Sequence, residues 1–458
     1  MPRPLAAVRM PGNPPAAPVR GIWPLAMVLV TAFQAFTFGP LLLKEHVPDL
    51  LYITFLCYIP AEWLFLTLVR VIMRQKDLLA ECLALWLCGI GLAVCGSISA
   101  EYAWKQAVAV ALGMMVYAGM LWLIADPERA MTVRPYVAFA TMLLLALNLG
   151  IGLLKGMKND NASSDQYNWI VLGGVSIQPS EIAKVAFIFV GAATLDRLQK
   201  APSITRYMIF ALGCIGTLVL LKDFGSVLLF FCVFLFLSVL RAADMRVLTL
   251  VTAAAVLGAA AVIYYRPYIA NRFAAYRHVW EYKYDLGMQQ ARVLMYSSSG
   301  GLFGLGLGNG KLRGTYAAST DLVFGTIAEE LGLVVAFLIP LCYIAIAGYA
   351  IRAARTPRSS FYSIAAISAA GLLLIQAALN VFGATDLLPF TGVTLPFVSR
   401  GGTSILSVWG LLAFVRACAR DDPHIKDAPF IRKSKPTPPT PPQTTGEFVP
   451  VVGDVYFS

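Results

Sequence analysis

Charge is scarce in this chain: Asp, Glu, Lys and Arg together make up 13% of its 458 residues, against 58% hydrophobic ones. Apolar runs of about 20 residues, each long enough to cross a ~30 Å hydrocarbon core as a helix, recur along most of it. A water-soluble globule is excluded. Histidine is scarcer still: His46, His278 and His424 stand far apart, which excludes a histidine-built zinc site. No two of the eight cysteines form a CxxC pair. Cys57, Cys82, Cys88, Cys95, Cys214, Cys232 and Cys342 fall inside apolar runs and Cys418 at the edge of the last, so packing is their expected role and a disulfide framework is not supported. No short apolar region with a small-residue cleavage site follows the basic, Pro-rich opening "MPRPLAAVRMPGNPPAAPVR". The first apolar run is therefore expected to be its own insertion signal, with residues 1–21 disordered.

What is present is an all-α polytopic membrane pattern. Twelve candidate spans lie near residues 22–43, 50–73, 79–98, 105–126, 135–154, 179–196, 205–221, 224–241, 246–265, 322–351, 362–384 and 396–417. With the N-terminus in the cytoplasm, Arg70, Arg74 and Lys76, Arg129 and Arg134, Arg197, Lys200 and Arg206, Arg241 and Arg246, and Arg352, Arg355 and Arg358 all fall on the inner side. Arg416 and the bases of the Pro/Thr-rich tail 419–458 follow them. Short-loop Lys/Arg bias sets orientation, and every internal loop agrees. The net charge of +11 is accounted for by this bias toward anionic lipid, without nucleic acid. The abrupt junction between 205–221 and 224–241 is the weak point of the pattern.

Two outer connections are long. The first runs from Lys155 to about Gln178, the second over 266–320. The second carries Arg266, Arg272, Arg277, Lys283, Arg292, Lys311 and Arg313 against only Glu281 and Asp285, so an anionic outer partner such as a phosphate or pyrophosphate headgroup is expected; outer-leaflet lipid headgroups are the plainer alternative. Within it "SGGLFGLGLGNG" clusters glycines that suit tight turns or anion cradling. Then comes "STDLVFGTIAEELG". Ser319 or Thr320 reads as an N-cap with Asp321 in the first helical turn, while Glu329 and Glu330 fall roughly 12–14 Å deeper. Acids at that depth are expected to face a polar cavity or to pair with a neighbouring helix.

The succession "KGMKN", "NWIVLGGVSIQPSEIAKVAFI", "LKDFGSVLLFF", "GMQQARVLMYSSSGGLFGLGLGNG", "STDLVFGTIAEELG" and "DLLPFTGVTLPFVSRGGTSILSVWG" resembles the signatures of the SEDS family, the FtsW/RodA/SpoVE group, over about residues 80–418. The resemblance implies a glycosyltransferase core over 79–418, of about ten transmembrane helices, that polymerises lipid II on the outer face of the bacterial plasma membrane. The two helices within 22–73 are additional to it. It also implies a class B penicillin-binding protein as transpeptidase partner, and is compatible with a divalent cation, Mg or Mn, although no dedicated metal cage is visible in the sequence. By resemblance Asp321 is the essential acid and Lys155 its partner, with Lys158 as rival because the following loop is longer than usual. The implied substrate contacts are Arg272, Arg277, Gln289, Arg292, Gly300, Gly301, Arg313, Ser399 and Arg400. Gln178, Pro179, Ser180, Glu181, Asp223, Glu329 and Glu330 are further family-motif positions. The chain departs from the family at Ser319, where a histidine is usual, at Lys222 in place of proline, and at Arg400 in the SYGGSS-like segment.

A carboxylate within hydrogen-bonding reach of a sugar hydroxyl can take its proton during attack, and cations can stabilise a departing pyrophosphate. Asp321 fits the first role, and Lys155 would orient it and keep it ionised. The QPSE residues also have a purely structural reading: a helix start with Pro179 in the first turn and Glu181 paired with Lys184 at i+3. A flippase for lipid-linked precursors and a non-catalytic scaffold for a transpeptidase are the competing functions.

Overall fold

The computed structural model describes residues 22–73, 77–158, 169–172, 175–196, 201–241, 249, 253, 272–355 and 359–419. The expected span 246–265 (apart from 249 and 253), Arg266 and both tails lie outside the described residues. The elements are α1 (Ile22–Leu42), α2 (Asp49–Met73), α3 (Leu79–Ile98), α4 (Ala100–Leu123) and α5 (Pro127–Lys158), then a small antiparallel pair, β1 (Ile170–Leu172) and β2 (Val175–Ile177). They continue with α6 (Pro179–Asp196), α7 (Ala201–Leu220), α8 (Phe224–Arg241), α9 (Met288–Ser299), a 3-10 turn at Leu312–Gly314, α10 (Val323–Glu330), α11 (Gly332–Ala354), α12 (Ser360–Ala384) and α13 (Gly402–Ala419). The chain is a multi-pass membrane protein: among the described residues eight helices, α1 to α5 and α11 to α13, are long and apolar enough to cross a bilayer.

α3 and α13 are the centre of the bundle. Each buries 83% of its apolar window, whereas α5 buries 22% and leaves the rest for lipid. Trp409 of α13 sits fully buried, edge-on to Phe65, Tyr117 and Phe397. Gly113 of α4 makes room for it, because a Cβ there would collide with the indole. Small residues at such crossings let helices approach closely without water to drive them together.

The structure corrects the expected pattern in four places. The span expected over 322–351 is two helices, α10 and α11, broken where Gly332 takes φ +88°. Residues 396–401 are not helical, and α13 starts only at Gly402. Lys155 is not in a loop, because α5 runs on to Lys158. Arg416, counted with the inner-face charges, is buried: its Nε donates to Glu81 Oε1 at 2.6 Å, its Nη2 pairs with Glu81 Oε2, and its Nη1 donates to Tyr349 Oη at 2.9 Å. The abrupt α7–α8 junction is made by Lys222 at φ +61°, with the Asp223 amide donating to Leu218 O.

Candidate active site

The non-helical segment 385–401 between α12 and α13 carries the site. Leu395, Phe397, Val398 and Ser399 are buried in it, and irregular backbone at such depth persists only when its polar groups find partners inside the protein. Isolated polar residues of the surrounding helices provide them. Gln376 Nε2 donates to Thr394 O at 3.0 Å, Asn380 Nδ2 to Val393 O at 2.7 Å, and Gln106 Nε2 to Ser399 O at 3.3 Å. Tyr343 Oη donates to Pro396 O. None of these four residues was marked by the sequence reading, although each polar group inside an otherwise apolar span was a usable signal.

This segment holds the turn before α10 in place. Ser399 Oγ donates to Thr320 O at 2.6 Å and accepts from the Leu395 amide at 2.8 Å, the Arg400 amide donates to Ser319 O at 2.7 Å, and Asn380 Nδ2 also donates to Asp321 O at 3.0 Å. Asp321 therefore does not sit in a first helical turn as expected. α10 begins two residues later, at Val323, and its N-cap position is Leu322, with no side-chain cap. Three hydrogen bonds from segment 385–401 and α12 fix the backbone of residues 319–321 instead.

The Asp321 carboxylate faces Gly392. A Cβ at Gly392 would stand 3.4 Å from Asp321 Oδ2 and 3.8 Å from both Arg272 guanidinium nitrogens Nη1 and Nη2, so acid and base converge on one bare point of backbone. Arg272 is aimed there by donating to Phe390 O at 2.7 Å, with its guanidinium over the Phe390 ring. Asp321 as a residue is partly accessible, but its carboxyl group is enclosed. Burial raises its pKa from 3.8 to about 7, and the Arg272 charge opposes that rise. Gly392 has φ +69°. Gly392→Ala is expected to cost about 1–2 kcal/mol through the left-handed backbone, measured as earlier thermal unfolding of the purified protein.

Beside this point the QPSE and DFGS motifs meet. Ser180 Oγ and Ser226 Oγ donate to Asp223 Oδ2 at 2.9 and 2.8 Å, and Gln178 Nε2 approaches the same oxygen at 3.4 Å. The Gln178 amide donates to Thr403 Oγ1 at 3.2 Å, and Gly225 packs against Val393 and Thr391. Pro179 opens α6, and Glu181 and Lys184 form a buried ion pair at 2.8 Å whose ends reach Ser407 and Gln376. The motif thus joins α6, α12 and α13 beneath segment 385–401.

The remaining sequence-derived residues are placed differently from one another. Arg400 lies over the Tyr102 ring at 3.7 Å, and Arg277, at φ +62°, donates through its amide to Asp386 Oδ1. Arg292 is exposed on α9 and Gln289 half-buried near its start. Arg313 donates to Ser97 O at 3.2 Å, at the far end of α3. Gly300 packs on the carbonyls of Ala328 and Glu329, while Gly301, at φ +57°, has open space beside it. Residues 301–306 bond along the α10–α11 break, where the amides of Leu305 and Gly306 donate to Glu329 O and Glu330 O, and those of Leu333 and Val334 to Gly301 O and Leu302 O. The Glu329 carboxylate is bonded to loop backbone. Its Oε1 and Oε2 accept the Lys311 and Leu312 amides at 2.7 and 2.8 Å, which caps the 3-10 turn. Glu330 is buried against Gly310, with Arg313 as a neighbouring cation. Both acids precede the apolar helix α11 rather than lying in the middle of a span. The side chains of Lys155 and Lys158 lie outside the described residues.

The family described as cell cycle protein, FtsW/RodA/SpoVE, matches residues 63–423. This chain belongs to the FtsW/RodA/SpoVE family. It is 30% identical over 352 residues to stage V sporulation protein E of Bacillus subtilis, covering 72% of this chain and 93% of that one. It is 29% identical over 272 residues to a probable peptidoglycan glycosyltransferase FtsW of Geobacter sp., covering 58% and 72%. Among solved structures it is similar to a chain of a peptidoglycan synthase complex described as coordinating polymerization and crosslinking, with TM-score 0.61, 26% identity, and 75% and 98% of the two chains covered. It shares its fold with the rod shape determining protein RodA of Thermus thermophilus, at TM-score 0.54 and 23% identity, over 75% and 97%. The FtsW/RodA/SpoVE match begins inside α2, so α1 lies before it.

The described residues form no all-protein cage for a divalent cation. Among the described residues no three His, Cys, Asp or Glu side chains converge, and the Asp321 carboxylate has the Arg272 guanidinium as its charged neighbour.

Proposed function

We propose that this protein is a peptidoglycan glycosyltransferase that polymerises lipid II at the outer face of a bacterial plasma membrane, with both termini cytoplasmic, for division or cell shape. The observation that carries the reading is the convergence of Asp321 and Arg272 on Gly392, within the frame of a family whose relatives bear that activity in their names. In the proposed step an acceptor sugar hydroxyl attacks C1 of the lipid-linked sugar. Its proton passes to Asp321, the bond from C1 to the pyrophosphate oxygen breaks, and the lipid pyrophosphate leaves with the electron pair. Arg272 stands beside the developing negative charge, and Arg277, Arg292, Arg313 and Arg400 are the further cations proposed for the pyrophosphates. Lys155, near the end of α5, is the proposed ionic partner of Asp321, with Lys158 as its rival.

A general base must be ionised, so the raised Asp321 pKa predicts activity that increases with pH through about 7. Arg272→Met removes the charge that favours ionisation, and is expected to move this limb to higher pH as well as to slow the reaction. The measurement is polymer formed from fluorescent lipid II by purified protein across a pH series. A limb unmoved by Arg272→Met would separate Arg272 from the titration. A class B penicillin-binding protein is the proposed partner, supported by the similarity to a chain of the synthase complex. Lack of polymer with and without such a partner would overturn the glycosyltransferase reading in favour of a flippase or a scaffold.

A further inference from the structure

In the α1–α2 hairpin, α1, the turn and the first half of α2 stand before residue 63, where the family match begins, yet the turn reaches the Gly-rich loop. In that turn Lys44 Nζ donates to Leu307 O at 2.6 Å and to Asn309 Oδ1 at 2.9 Å, across 263 and 265 residues of sequence. Its place is set from below. Phe38 of α1 stacks on Phe55 of α2 with ring centroids 3.9 Å apart, and Leu41, Leu51 and Phe55 close over Gly96 of α3. Gln34 Nε2 donates to the buried carboxylate of Glu62 at 3.0 Å while lying against Gly89 of α3, and Tyr52 Oη donates to Leu42 O at 2.6 Å across the turn. The ammonium is therefore delivered by a packed hairpin rather than by a free side chain.

The loop receives it at a point shaped for close approach. Gly308 has φ +77°, and a Cβ there would lie 2.8 Å from Lys44 Nζ and 3.4 Å from Arg313 Nη1. On its other side the same loop is bonded to the end of α10, through the Leu305 and Gly306 amides on Glu329 O and Glu330 O. Asp321 stands two residues before the start of α10. The loop is thus gripped between the appended hairpin and the helix that follows the proposed catalytic acid.

We propose that Lys44 is a positioning residue: it fastens the 300–314 loop onto α10 and so sets Asp321 against Arg272 and Gly392. The activity arm of its test rests on the glycosyltransferase reading; the exchange arm does not. In the full-length protein, Lys44→Ala is expected to speed hydrogen exchange at the Leu305, Gly306 and Asn309 amides about tenfold or more, leaving α3 unchanged, while Lys44→Arg restores protection. Asn309→Ala, which removes one acceptor from the exposed side of the loop, is expected to give an intermediate rate. In the lipid II assay Lys44→Ala is expected to lower kcat about tenfold with KM unchanged, and Lys44→Arg to recover it. No polymer from the unmodified protein, with and without a class B partner, would overturn the glycosyltransferase reading while leaving the exchange result to judge the latch. Unchanged exchange in Lys44→Ala would overturn the latch. Faster exchange with unaltered kcat would overturn its role in positioning Asp321.

Discussion

Asp321→Asn is expected to lower lipid II polymerisation by about 10²–10⁴-fold, the range typical for loss of a general base. The substitution keeps side-chain size, and the backbone contacts that hold residues 319–321 come from Ser399, Arg400 and Asn380, which it leaves in place. Thermal unfolding should therefore change little, and the loss should appear in kcat. The pH profile supplies the sharper test. Below about 7 the enclosed carboxyl is mainly protonated and cannot accept a proton, so the unmodified protein should lose activity as pH falls through that value. Residual activity of Asp321→Asn should lack this limb. Full activity with the limb intact would show that another group carries the proton. Asp321→Glu retains the charge but moves it outward by one methylene, past the close Gly392 contact, and should recover only part of the rate.

Arg416→Ala is expected to be the most destabilising single change considered, by about 3–5 kcal/mol, since it leaves a buried carboxylate without its cation. Glu81 is fully buried, and apart from Arg416 its Oε1 accepts only the Tyr117 hydroxyl, at 2.6 Å, among the described hydrogen bonds. The pair joins the first turn of α3 to the last of α13, the two most enclosed helices. Removing both charges, as Glu81→Leu with Arg416→Met, should recover most of the loss, because an apolar pair of similar volume pays no desolvation. Thermal unfolding in detergent of the single and double variants measures this. A double variant no more stable than Arg416→Ala would mean that the residues act separately.

Much of the architecture was legible because a bilayer imposes a length and a composition on every span. Ten of the twelve expected spans fall on a single helix each, 322–351 falls on two, and 246–265 lies outside the described residues except for 249 and 253. Legibility failed where backbone leaves the helix while the sequence stays apolar. "PFVSRG", residues 396–401, reads as the start of a span, yet segment 385–401 is irregular, and the side-chain amides of Gln106 on α4 and of Gln376 and Asn380 on α12 make that conformation tolerable. The two Glu side chains at 329 and 330 looked like intramembrane acids because nothing local announces that Gly332 breaks the helix. It does so because the backbone of residues 302–304 occupies the space a Cβ would need.

Sequence alone determined the membrane class, the family and the candidacy of Asp321, since these follow from composition and from motifs read in order. Tertiary structure decided what Asp321 faces: Arg272, 49 residues before it, and Gly392, on the segment between α12 and α13. It also decided that Arg416 is a buried partner of Glu81, and that Lys44 of the appended hairpin reaches the Gly-rich loop. The physical reason is common to all three. Short-range spacing fixes periodicity and hydropathy, whereas the pairing of charges separated by 49 to more than 300 residues depends on which helices pack together.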